Sequence, residues 1–216
     1  MFHLLTGPQR LERVEARAPK HRERRFPPTE TLSMFLAQAL SADGSCQQVV
    51  NDAMVHRVIS GLAPGKTNTG AYCTARARLP LTLLSTLARQ AGPIIAEGTP
   101  RWWQGRGRPV RWVDGVTVTL PDTSANQAAY PQSRTQKAGL GFPMCRVVAL
   151  MGLGSGVLLN AATGPCEGQG SDEQTLLRAL LETLNDGAIL LGEACYATYC
   201  LLCERLHRGV DGLFEQ

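Results

Sequence analysis

Asp114 stands in a run that otherwise reads as a buried strand, Pro109-Val110-Arg111-Trp112-Val113-Asp114-Gly115-Val116-Thr117-Val118-Thr119-Leu120. A carboxylate facing a protein core is costly unless it is paired or binds a metal. A second apolar run, Ala188-Ile189-Leu190-Leu191-Gly192, ends in another acid, Glu193. Two acids on neighbouring strands can hold a hard divalent cation through oxygen, and such a cation supports phosphoryl transfer. Other chemistries find less provision. The four histidines are scattered, and no combination of serine, histidine and acid stands out. Gly152-Leu153-Gly154-Ser155-Gly156 lacks the lysine of a phosphate-binding loop and precedes a strand instead of a helix. The cysteines number seven, an odd count that argues against a disulfide framework. Cys195, Cys200 and Cys203 cluster, but no fourth ligand lies at a zinc spacing, and they read as small buried residues.

The elements that must position the two acids follow from hydrophobic period and turn residues. Helices are expected over 29–40, with Thr29 or Thr31 as cap, and over 46–62, 71–78 and 80–91. Strands are expected over 110–120, 145–153, 157–162 and 188–193, and from 210 onward. Helices over 172–184, capped by Ser171, and over 196–208 separate the later strands. Of Tyr196 and Tyr199, one is expected in the core. Residues 121–142 read as a long loop without structure, opened by Asp122 in an Asx turn. The order β-β-β-α-β-α-β, an antiparallel triplet followed by α/β crossovers, matches a ribonuclease-H-like mixed sheet. That topology lays the middle of the first strand beside the end of the fourth. Asp114 and Glu193 occupy those two positions. The expected class is α+β or α/β: a basic arm over 1–28, a helical and DNA-binding domain over 29–92, a linker over 93–108, and an incomplete ribonuclease-H-like domain over 109–216.

The charge is unevenly placed. The net charge is +4, and residues 1–28 alone carry seven cationic side chains against three acids, so the remainder is neutral. A basic arm suits a nucleic-acid backbone, and equally suits a solvated terminus. Arg76 and Arg78 lie near Tyr72 and Lys66; Arg106 and Arg108 follow Trp102 and Trp103; Arg134 and Lys137 lie in the long loop. All six are candidate DNA contacts. No apolar run reaches the roughly eighteen residues of a membrane span, and the first twenty-five residues lack a signal-type apolar core. A cytoplasmic, nucleoid-associated location is expected.

The wording of the sequence goes further. Trp112-Val113-Asp114-Gly115 through Pro121-Asp122-Thr123, Asn126-Gln127-Ala128-Ala129-Tyr130-Pro131-Gln132 and Gly139-Leu140-Gly141-Phe142-Pro143 resemble the first catalytic block of bacterial insertion-sequence transposases of family four, which are of the DDE class. Arg25-Phe26-Pro27-Pro28 through Ser45-Cys46, and Asn68 through Pro80, resemble that family's helical region. The resemblance covers about residues 22–216. It implies metal-dependent DNA strand cleavage and transfer, with double-stranded DNA (element ends and target) as partner and Mg²⁺ or Mn²⁺ as cofactor. Self-association, or association with a full-length transposase, is a further implied partnership. Asp114 is then the first acid. Glu193 takes the second position, where the family usually has Asp. The third acid belongs on a helix beyond the fifth strand, and the sequence stops at Gln216, in or just after that strand. The expectation is a truncated copy, inactive alone. The alternatives are a DNA-binding or interfering fragment without catalysis, and a decayed gene product.

Overall fold

The computed structural model describes residues 26–168 and 170–215. Residues 1–25, which hold most of the expected basic arm, lie outside the described residues. The chain divides into two units, one ending at Leu87 and one starting at Ala88.

The first unit is helical. α1 (Pro28–Leu40) starts on a proline, whose missing N–H is no loss in a first turn. The cap is Pro27, not Thr29 or Thr31. Thr31 is buried and its hydroxyl donates to the Pro27 carbonyl at 2.8 Å. α2 (Cys46–Ile59) is capped by Ser45, which accepts from the Gln48 amide at 3.2 Å. α3 (Gly70–Ala77) brings in Tyr72, wholly buried against Phe26, Met34, Val49, Val50 and Met54. Its hydroxyl donates to Gln38 Oε1 at 2.7 Å, so no polar group is stranded there. Leu83 and Leu87, on the first turns of α4 (Leu81–Glu97), enclose Leu32.

α4 outruns the expected 80–91 helix and passes through Pro93 to Glu97. Proline forfeits one helical hydrogen bond. Packing in the second unit outweighs that loss. Ala96 joins the core of that unit, and a Cβ at Gly92 would stand 2.5 Å from the Leu158 carbonyl oxygen. The unit boundary therefore falls inside a helix, and the linker expected over 93–108 begins within it.

The second unit is a five-stranded mixed sheet in the order β3-β2-β1-β4-β5. β1 (Val110–Thr119), β2 (Met144–Gly152) and β3 (Val157–Pro165) are antiparallel neighbours. β4 (Ile189–Gly192) runs parallel to β1, and β5 (Asp211–Phe214) parallel to β4. Three expected elements come out differently. The long loop contains α5 (Ser124–Ala129), capped by Thr123. Two glutamine amides organise the rest of it. Gln127 Nε2 donates to Asp122 at 2.9 Å and to the Gly141 carbonyl at 3.1 Å; Gln132 Oε1 accepts from the Gly139 and Gly141 amides at 2.9 and 3.2 Å. The 172–184 helix is shorter: α6 (Glu173–Arg178) is capped by Asp172 instead of Ser171, and a 3₁₀ turn, Leu181–Thr183, follows. Leu176, Leu177, Leu180, Leu181 and Leu184 are all buried. Their spacing, i, i+1, i+4, i+5 and i+8, places all five on one side of the segment, which is why the sequence reads as one helix. The 196–208 helix divides into a 3₁₀ turn, Ala194–Tyr196, and α7 (Tyr199–His207).

One face of the sheet is the core. Val113, Val148, Leu150 and Leu190 meet the leucines of α6 and its 3₁₀ turn, Tyr196, and Leu201 of α7. On the other face, cross-strand partners align Leu158, Met151, Trp112, Leu191 and Leu213 in one row. That row is open: Trp112 is 40% and Leu213 67% exposed.

Candidate functional site

Asp114 lies on the open face, two residues along β1 from Trp112, and is half-buried. Its Oδ1 accepts from the following amide, Gly115 N, at 2.8 Å. Trp112 pairs with Leu191 on β4. Carried two residues further, that register would set Glu193 beside Asp114 on the same face. Packing one residue earlier agrees, since a Cβ at Gly192 would stand 2.8 Å from Val113 Cγ1. Glu193 is exposed and extended, with φ −72° and ψ 167°, and its carbonyl accepts from the Tyr196 amide at 3.1 Å. The ladder between β1 and β4 stops at Trp112 and Leu191, so both acids sit just beyond the last paired residues. Glu193 follows the carboxyl end of β4, where a sheet presents side chains to a ligand, and Asp114 lies mid-strand in β1 opposite Ala149.

Behind this pair, on the core face, stands a residue that sequence reasoning did not single out. Glu173, in the first turn of α6, accepts a hydrogen bond from the Tyr196 hydroxyl at 2.9 Å. Its carboxylate lies over Gly115: a Cβ there would fall 2.6 Å from each oxygen. Arg146 Nε is 4.0 Å from Glu173 Oε1, and another of its nitrogens donates to the Ser171 carbonyl at 3.0 Å. Tyr196 is wholly buried. Burial, then the hydrogen bond to Glu173, push its phenol far above the usual tyrosine range, with the Asp114 charge a smaller contribution. The available signal was Gly115 itself, since a glycine inside a strand often marks a close approach. Tyr199, by contrast, is 81% exposed, so Tyr196 is the core tyrosine of the two.

The six cationic candidates separate. Arg76 donates to Gln38 Oε1 at 3.0 Å and lies over the Tyr72 ring at 5.8 Å, a structural place within the helical core. Arg108 donates to the Gly187 and Ala188 carbonyls at 2.7 and 3.3 Å and pairs with Asp211 at 2.6 Å. Arg134 pairs with Glu167 at 3.5 Å. Arg78, Arg106 and Lys137 are exposed. Arg106 and Gly107 form the tip of a two-residue hairpin between Gly105 and Arg108, with φ of 55° and 78°. Beside it Trp102 and Trp103 pack edge to face at 5.0 Å, and both are exposed. Cys195, Cys200 and Cys203 are exposed, against the expectation that they are buried. α7 turns only Leu201 and Arg205 inward, and its cysteines lie off that stripe. Among the described residues no three metal-ligating side chains converge, and no helix is long and apolar enough to cross a membrane.

Comparison with known proteins finds two relatives in Escherichia coli K12. The chain is 27% identical over 185 residues to the transposase InsG of insertion sequence element IS4, covering 84% of this chain and 39% of InsG. It is 33% identical over 100 residues to InsZ, provisionally named a transposase, covering 46% of this chain and 32% of InsZ. Both are named as transposases, InsZ provisionally and InsG as that of an insertion sequence element. The likeness supports a transposase, and the chain spans well under half the length of either relative. No family model matches the chain.

Proposed function

We propose that this chain is part of an insertion-sequence transposase, in which Asp114 and Glu193 are two acids of a DDE centre on a ribonuclease-H-like sheet. The observation that supports this reading is the parallel register of β1 and β4, Trp112 opposite Leu191, which continued by two residues would set Asp114 beside Glu193. The strand order and the named relatives support it. Two carboxylates offer the oxygen donors that Mg²⁺ or Mn²⁺ prefers, and they leave coordination positions for water and substrate phosphate. A cation held there would supply a Lewis acid to a DNA phosphate oxygen. In the sheet unit the exposed Arg106 and Lys137 are available to the DNA backbone, as is Arg78 within the helical unit. Among the described residues no third acid joins the pair, and Glu193 reaches one methylene further than Asp. Mg²⁺ tolerates little departure from octahedral geometry at about 2.0–2.1 Å. The chain by itself therefore binds metal and DNA without cutting DNA.

The test is Mn²⁺ titration by calorimetry into the purified chain and into Asp114→Ala, alongside a supercoiled-plasmid nicking assay. The expected result is binding in the parent, its loss in the variant, and no nicking by either. Absence of Mn²⁺ binding in the parent would overturn the metal-site reading. Mg²⁺-dependent nicking that Asp114→Ala abolishes would overturn the claim of insufficiency. Salt-sensitive DNA binding without metal binding would instead favour a non-catalytic, interfering role, which the exposed Arg78, Arg106 and Lys137 suit.

A further inference from the structure

Asp114 and Glu193 need a fixed spacing, yet the ladder joining their strands ends two residues short of both. Beyond Trp112 and Leu191, no ladder pairing holds β1 to β4. Glu173 spans that gap from behind. Its carboxylate rests on Gly115, the residue after Asp114, where a Cβ would displace it. The same carboxylate accepts from the Tyr196 hydroxyl at 2.9 Å. Tyr196 in turn closes the turn that starts at Glu193, its amide donating to the Glu193 carbonyl at 3.1 Å. Its ring is wholly buried, and a Cβ at Gly192 would stand 3.1 Å from it. A chain of contacts thus runs from Asp114 through Gly115, Glu173 and Tyr196 to Glu193.

Resting on the proposed two-acid reading, we infer that Glu173 is a positioning residue: it sets the separation of Asp114 and Glu193 through Gly115 and the Tyr196 hydroxyl, without itself being a ligand. Its surroundings fit this role better than coordination. It faces Gly115 and Tyr196 on the core side, whereas Asp114 and Glu193 share the open side. Arg146, 4.0 Å away, balances its charge locally. Residues that orient metal ligands from behind typically cost about 10–100-fold in metal affinity when removed.

The test compares Glu173→Ala, Glu173→Gln and Tyr196→Phe in the full chain. Two readouts are taken: amide exchange at Tyr196 by NMR, and Mn²⁺ affinity by calorimetry. Glu173→Gln keeps the acceptor and the size but not the charge. Glu173→Ala and Tyr196→Phe are expected to speed exchange at the Tyr196 amide by about tenfold, the worth of one hydrogen bond irrespective of the acceptor's charge. They are expected to weaken Mn²⁺ binding by about tenfold. Glu173→Gln should restore both to within about twofold of the parent. Exchange at the Val148 amide should not change, which a general loss of stability would not spare. If Glu173→Ala fails to fold, Tyr196→Phe, which keeps the buried ring, carries the comparison. Unchanged exchange at Tyr196 in that variant overturns the inference. So does a Glu173→Gln protein as impaired as Glu173→Ala, since charge and not the hydrogen bond would then matter. A parent chain that binds no Mn²⁺ sinks the two-acid reading instead, and the exchange data still decide whether Glu173 ties the turn.

Discussion

Asp172 shows how one side chain can fix the approach of Glu173. Its carboxylate accepts from the Thr175 amide at 2.9 Å and from the Thr175 hydroxyl at 2.7 Å, closing the first turn of α6. The Thr175 hydroxyl, then the Thr175 amide, hold the Asp172 carboxyl below its ordinary range. A lowered folded-state value means stability that is complete above the unfolded value and lost as pH falls through the folded one. Asp172→Ala should therefore cost about 1 kcal/mol near neutrality. The deficit should shrink below about pH 4, where the parent also loses the charge. Urea midpoints measured across the acid range would check both statements. At this scale the sequence was legible where a residue broke a pattern. Asp114 stood out because a charge interrupted an apolar run, and Glu193 because it closed one. Glu173 did not, because an acid in a helix's first turn is ordinary and its partners Gly115 and Tyr196 are distant in sequence. The exposed cysteines were misread for a related reason. α7 buries only two of its nine residues, and short helices give too few turns for a stripe to be recognised.

Among the elements, the hairpin ahead of β1 separates two arginines that look alike in sequence. Arg108 ties that lead-in to the start of β4 and to β5 through Gly187, Ala188 and Asp211. Arg106 occupies the hairpin tip, with a φ of 55° that a non-glycine residue adopts at some cost. Arg106→Asn should leave stability unchanged or slightly raised, since asparagine suits that turn. It should also reduce the salt dependence of DNA binding by about one phosphate contact. Arg108→Ala should do the reverse: a melting temperature lower by several degrees, for a loss of about 1–2 kcal/mol, with the salt slope intact. Thermal unfolding and DNA titrations at several salt concentrations distinguish the two. Strands were largely legible, because alternation and glycine turns mark both their existence and their ends. Helices were less so. The fourth helix was expected to end at residue 91, and only contacts at Gly92 and Ala96, invisible in the local sequence, carry α4 through Pro93.

In the whole molecule, separate cores predict separate behaviour. Val50 is central to the helical unit and Leu150 to the sheet unit, and both are wholly buried. All three tryptophans, Trp102, Trp103 and Trp112, belong to the sheet unit, so their fluorescence reports that unit alone. Leu150→Ala should lower the stability seen by tryptophan fluorescence by about 3 kcal/mol. Val50→Ala should leave that transition in place while shifting part of the far-ultraviolet dichroism. Coincident shifts in both probes for both variants would mean that the helix shared by the units makes them one cooperative body. The division itself was only partly legible, since a single helix crosses it and no change of composition marks Leu87. The open face of the sheet bears on the chain's fate in a cell. Its row of Leu158, Met151, Trp112, Leu191 and Leu213 presents the kind of apolar surface that quality-control chaperones and proteases recognise. Left uncovered, that row would set a short lifetime and a low steady-state abundance for this chain, whatever its chemistry.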